Sequence, residues 1–162
     1  MNPPFNGRAY FKNRDFTGED WAKGGVNELP DLNGAVGKDY EHFRKGFHDV
    51  TPGGTISSVM SRSWFTKPTK DVKSFRRWLG IKDDGFLRDF AENPKADDVL
   101  RWQFSYKGFT HSACLRCIPA DWFKESGTTF PTCILTVYKA GIYKDRNKGT
   151  DSVLLENFEF DY

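Results

Sequence analysis

The densest group of chemically capable side chains in this chain is His111-x-x-Cys114-x-x-Cys117, with Cys133 further along. One imidazole and three thiols supply the four borderline-to-soft ligands that a closed zinc site takes, so these residues form the candidate metal centre. The surrounding pattern opposes that reading. Phe109, His111, Ala113, Leu115 and Cys117 alternate with Thr110, Ser112, Cys114 and Arg116, and in a regular strand Cys114 and Cys117 point to opposite faces. Structural zinc motifs usually show two close ligand pairs, and free cysteines commonly pack as small apolar side chains. The expectation is therefore no cofactor, with zinc as the alternative.

Asp145-x-Asn147-x-Gly149-x-Asp151 with Glu156 matches several ligand positions of a calcium loop. Thr150 stands where the sharp turn of such a loop needs glycine, and the flanks read as strands rather than helices, so a polar hairpin loop accounts for these residues better. The chain carries no G-x-S-x-G, H-E-x-x-H, Walker or dinucleotide fingerprint; Gly34-Ala-Val-Gly37-Lys38 lacks the early glycine and the hydroxyl residue of a phosphate loop. His48-Asp49 and Glu41-His42 are merely adjacent in sequence, which orients no imidazole. A non-enzymatic protein is expected.

Charge offers a different chemistry. The chain has a formal net charge of +2, yet Arg62, Lys67, Lys70, Lys73, Arg76, Arg77 and Lys82 face only Asp71 between positions 62 and 82. The same stretch contains Trp64, Phe65, Phe75 and Trp78. Cations attract phosphates and exposed rings stack on bases, so Arg62, Trp64, Phe65, Lys67, Lys70, Lys73, Arg76 and Arg77 are the candidate site for single-stranded nucleic acid. Phe75 and Trp78 belong to the apolar stripe of a predicted helix and should be buried, which leaves Trp64 and Phe65 as the rings free to stack.

These residues must be positioned by elements, and composition says which kind. Fifteen Phe, six Tyr and five Trp make the chain 16% aromatic, and fifteen Gly with eight Pro imply many turns, so sheet should outweigh helix. Tyr40, Phe43 and Phe47 lie on one face of a short helix despite Gly46. A loop leads to a strand over residues 55–60. The clearest helix covers 69–79, with Thr69 as cap, Val72, Phe75, Trp78 and Leu79 as stripe, and Gly80 after the last turn. A shorter helix covers 84–90, closed by Asn93-Pro94. Alternation then predicts strands over 100–106 and 109–118 about a Lys107-Gly108 turn, a helical turn over 119–126, a strand over 132–138 and a last strand over 152–160.

The fold class that follows is α+β: a predominantly antiparallel β-meander of about four to six strands, with one or two short helices packed on it and an irregular N-terminal arm. Residues 1–37 form that arm or lid, and 38–162 a single domain. The arm carries Phe5, Tyr10, Phe11, Phe16 and Trp21 among Gly, Asn and Pro, and an aromatic content so high suits a segment that lies against a surface, its own or a neighbour's. The layout of the C-terminal SVLLENFEFDY, well after a helix containing RRWL, is loosely similar to that of small phage tail-tube subunits over a small part of the chain; no residue role is carried over from it.

No stretch approaches the roughly 20 apolar residues of a membrane span, and the start lacks the apolar run of a secretory signal. Three cysteines do not form the paired framework of a small secreted domain, so an intracellular location, free or within a particle, is expected. The leading reading is a structural, assembly or protein-interaction subunit, for instance of a virus-like or phage-like particle, whose partner is itself or another protein subunit. The alternatives are a single-stranded nucleic-acid-binding module and an inhibitor or adaptor of one cellular protein.

Overall fold

The computed structural model describes residues 38–81, 84–93, 98–119, 131–144 and 152–160. The expected N-terminal arm, the helical turn at 119–126 beyond Pro119 and the loop at 145–151 lie outside them. In chain order the elements are α1 (Lys38–Asp49), β1 (Thr55–Ser61), α2 (Ser63–Thr66), α3 (Lys70–Trp78), α4 (Asp84–Glu92), β2 (Leu100–Tyr106), β3 (Phe109–Ile118), β4 (Thr132–Tyr138), β5 (Gly141–Tyr143) and β6 (Val153–Leu155).

The fold is mixed α+β and β-rich. Strands β2, β3 and β4 form the expected meander, and β1 joins beside β4, giving a four-stranded antiparallel sheet in the order β1-β4-β3-β2. The register sets Ile56 against Val137, Val137 against Ala113 and Ala113 against Trp102. Directly opposed residues share a face, so this row and its neighbours Leu135, Leu115 and Phe104 turn one face of the sheet into the floor of the core.

The roof of the core is aromatic. Tyr40, Phe43 and Phe47 recur along α1 at helical spacing and lie on Phe75 and Trp78 of α3; Tyr40 stacks on Trp64 at 4.8 Å, and Phe43 meets Phe75 edge-on at 5.5 Å. Such pairs add about 0.5–1.5 kcal/mol each beyond the burial of their area. Lys139, just after β4, donates from Nζ to the carbonyls of Phe47, His48 and Val50 at 2.7, 3.2 and 3.0 Å. It thereby satisfies two of the C-terminal carbonyls of α1 and places a cation at the negative end of that helix.

Helix α3 ends as its glycine predicts. Gly80 has φ +76°, its N–H bonds the Arg77 carbonyl, and the Ile81 N–H bonds the Arg76 carbonyl, the paired bonds of a Schellman motif. Its N-terminus differs from expectation: Thr69 occupies the cap position with an extended backbone, but its side chain makes no capping hydrogen bond. Between β2 and β3, Lys107 (φ 51°) and Gly108 (φ 81°) both take left-handed conformations, the requirement of a two-residue type I′ hairpin.

The last strand is shorter than its alternation predicts. Only Val153–Leu155 is β structure, paired with β5 in a separate two-stranded ribbon. Asn157, with φ 62°, turns the chain, and the residues after it cross the outer face of the sheet. There Ser112 Oγ donates to the Phe158 carbonyl, and the Phe158 ring stacks on Tyr138 at 4.4 Å. The resemblance to phage tail-tube subunits paired a long terminal strand with the RRWL helix before it; the helix is present but the long strand is not.

Candidate functional site

The basic segment does not present the rings its sequence offers. Residues Ser63–Thr66 form the short helix α2, which packs against α3 and α4 and carries Trp64 and Phe65 into the core. Trp64 Nε1 donates to Asp39 Oδ2 at 3.1 Å, and its ring stacks on Tyr40. Both side chains are buried, which corrects the expectation that they are free to stack on bases. Arg76 is buried as well: Nη1 donates to the Trp64 carbonyl at 3.1 Å and Nη2 to the Lys67 carbonyl at 2.9 Å, so the guanidinium ties α3 to the chain that leaves α2. Arg62, half-buried, donates from Nη2 to the Ile118 carbonyl at 3.2 Å. Of the candidate phosphate-binding cations, Lys67, Lys70 and Arg77 remain exposed and Lys73 is half-buried. They form a basic face with none of its expected stacking rings.

Asp39 shows why α2 turns inward. Its carboxylate is buried and accepts from the Ser61 N–H at 2.9 Å, the Trp64 indole and the Tyr40 N–H at 2.8 Å. Burial raises its pKa above the ordinary aspartate value, while those three donors act to lower it. A buried carboxylate that pins a strand end, an indole and its own helix start is a structural clamp, because each donor would otherwise be buried without an acceptor at about 1–3 kcal/mol apiece.

The four residues of the candidate metal centre do not converge. Strand β3 runs through the motif without a knuckle, so His111 and Cys117 point to the core and Cys114 to the outer face. There Cys114 lies by Thr136, and burial raises its pKa. Cys117 is directly opposite Cys133 on β4, both as free buried thiols. Burial pushes the Cys133 thiol well above its usual pKa, the Cys117 thiol adds to the rise, and Arg62 works against it. His111 is engaged at both nitrogens: Nδ1 accepts the Ala140 N–H at 3.0 Å, which leaves the proton on Nε2, 3.2 Å from the Tyr106 carbonyl. A zinc ion would need one of those nitrogens and a thiol from the wrong face. The arrangement does not fit zinc, and among the described residues no three His, Cys, Asp or Glu side chains gather as metal ligands. Of the calcium-like motif only Glu156 lies in the described residues, where Oε2 accepts from the Thr110 N–H at 3.5 Å.

Sequence reading expected strands flanking a hairpin loop here but missed that they form a separate, exposed two-stranded ribbon, β5–β6. Ile142 opposes Leu154 and Tyr143 opposes Val153. Successive residues of a strand point to opposite faces, so the first pair covers one face and the second pair the other. All four are exposed, at 55%, 56%, 42% and 52% in that order. The root is held by close packing: a Cβ at Gly53 would come within 2.7 Å of Leu155 Cδ1, and one at Gly141 within 2.9 Å of Pro52 Cγ. The available signal was the unbroken run Val153-Leu154-Leu155, because a strand with no polar alternation has no face suited to water.

Compared with known proteins, the chain matches no family model, no curated protein and no solved structure. No helix among the described residues is long and apolar enough to cross a membrane.

Proposed function

We propose that this chain is a self-associating structural subunit, the repeated unit of a larger assembly such as a virus-like or phage-like particle. The β5–β6 ribbon carries this reading. A two-stranded hairpin is marginal in water by itself, and one that exposes Ile142, Tyr143, Val153 and Leu154 on its two faces gains stability when a partner covers them. The partner assigned is a second copy of the chain. No residue of β5 or β6 is charged, so two ribbons meet without repulsion between like charges, and among the described residues no further strand pairs with either edge of the ribbon.

Sedimentation velocity over a range of concentrations tests the proposal. The wild-type chain should sediment as an oligomer whose size falls on dilution. Ile142→Asp with Leu154→Asp should lower the association constant by at least about a hundredfold, since charges forced into an apolar contact cost several kcal/mol, while the far-UV circular dichroism of the fold stays unchanged. A wild-type chain that is monomeric throughout overturns self-association and leaves the ribbon to a different protein, the adaptor reading. A doubly substituted chain that assembles as before removes the ribbon from the interface.

A further inference from the structure

Two free thiols face each other across the two central strands of the sheet, on a rung of the kind that a disulfide can bridge. We infer that Cys117 and Cys133 form an oxidative-modification site: an oxidant of the peroxide class joins them in a disulfide that ties β3 to β4, and a thiol reductant releases it. The reaction lies within one copy of the chain, so it holds whether or not the β5–β6 ribbon pairs.

The register sets Cys117 directly opposite Cys133, and both side chains belong to the core face. Hydrogen-bonded and non-hydrogen-bonded rungs alternate along an antiparallel ladder, and side chains lie closer on the second kind. The Arg62 N–H bonds the Pro131 carbonyl and the Lys139 N–H the Gly54 carbonyl, both at 3.0 Å, which fixes the phase of the β1–β4 ladder. Counting in twos from either end makes Met60 opposite Cys133 a hydrogen-bonded rung. The backbone N–H and C=O of Cys133 therefore point to β1, which leaves its rung with Cys117 non-hydrogen-bonded. The β2–β3 hairpin gives the same phase. Its two-residue turn closes on a hydrogen-bonded rung, Tyr106 opposite Phe109, and counting in twos along β3 turns the backbone groups of Cys117 to the side of β2, away from Cys133. A non-hydrogen-bonded rung sets its Cα atoms about 4.5 Å apart, within the roughly 4.4–6.8 Å of natural disulfides. Cys114 does not compete, because it stands on the outer face opposite Thr136.

The oxidation takes one electron from each sulfur. One thiol, as its thiolate, attacks a peroxide oxygen; the O–O bond breaks, the sulfur becomes a sulfenic acid, and the departing hydroxide takes up the thiol proton as water. The second sulfur then displaces the sulfenic oxygen, so that the S–S bond forms, the S–O bond breaks and a second water leaves. Two thiols and one hydrogen peroxide thus become one disulfide and two waters. The rung stands next to the last of its ladder, Ile118 opposite Thr132, so fraying of that end admits the oxidant while the rest of the sheet holds. Until it frays the thiols are only 1% and 0% exposed, and burial disfavours the Cys133 thiolate that Arg62 favours, so the reaction is slow.

The test treats the wild-type chain with hydrogen peroxide under native conditions, caps the remaining thiols with an alkylating agent and maps tryptic peptides by mass spectrometry. Trypsin cuts after Arg116, so Cys114 and Cys117 fall in different peptides and every pairing is told apart. The expected product is an intramolecular Cys117–Cys133 link with Cys114 capped, a loss of two cappable thiols that dithiothreitol reverses. Cys114→Ser should form the same link, and Cys133→Ser should form none. In denaturing urea Cys114 should enter the pairing, because the sheet no longer selects the partner. A native product that links through Cys114, single thiols oxidised to sulfinic acid without a link, or three thiols that all remain cappable after exposure to peroxide each overturns the site.

Discussion

At the scale of single residues, His111 is held as one neutral tautomer between aromatic rings, stacked on Phe104 at 5.3 Å and edge-on to Phe47 at 5.5 Å. Burial lowers its pKa first, and the Lys139 cation acts in the same direction, against the Tyr106 carbonyl and Glu156, which raise it. A histidine with a lowered folded pKa binds its proton more readily when unfolded, so unfolding is favoured as the solution acidifies. The stability it contributes is complete above the unfolded value of 6.5 and is lost as pH falls from there towards the folded value. Urea midpoints should therefore fall between pH 7.5 and 5.5, and His111→Gln should flatten part of that slope. His42, whose pKa burial also lowers, should supply a remainder of the same sign. An unchanged slope in His111→Gln would show that another group titrates. The chemistry of individual residues was the part least legible in sequence. Trp64, Phe65 and Arg76 stand among lysines and look available, yet Trp64 is held by Asp39, twenty-five positions earlier, and Arg76 by the Trp64 and Lys67 carbonyls, partners that no local period announces.

At the scale of elements, the period of the apolar residues was enough. Tyr40, Phe43 and Phe47 mark α1 because residues three and four apart share a helix face, and Leu100, Trp102 and Phe104 mark β2 because every second residue does. Local backbone demands were equally readable at Gly80. A Cβ there would sit 2.8 Å from Phe104 Cβ in a left-handed backbone, so Gly80→Ala combines conformational strain with a clash against β2. It should cost about 1–2 kcal/mol for the backbone alone, and more with the clash, read as a lowered midpoint in denaturant. A neutral substitution would mean that α3 can end without its Schellman bonds. Alternation misleads where it outlasts its sheet. In 152–160 only Phe158-Glu159-Phe160 truly alternates, no strand of the main sheet pairs with the segment, and past Asn157 it lies across the outer face through Phe158. Helix α2 escaped notice for the opposite reason, because Ser63–Thr66 is too short to show a period.

At the scale of the whole molecule, sheet order is what one sequence does not carry. The β2-β3-β4 meander follows from the tendency of consecutive strands to pair, whereas the place of β1 beside β4 depends on which edge the intervening helices leave open. That placement also governs how the chain reaches its native state. Thr55 pairs with Tyr138 and Ser61 with Thr132, so β1 has no sheet to join until nearly the whole of the described chain exists. Closing so long a loop costs entropy before its contacts return any, so the β1–β4 ladder is expected to be among the late contacts to form. Val59→Ala, half-buried on β1, should therefore speed unfolding with little change in the refolding rate in stopped-flow measurements, and a comparable slowing of refolding would show that the ladder already forms in the transition state. During synthesis α1 and β1 emerge early and wait with Tyr40, Phe43 and Ile56 uncovered. In that interval the nascent chain has one more open strand than the finished fold, so pairing with another chain competes with β4 for β1.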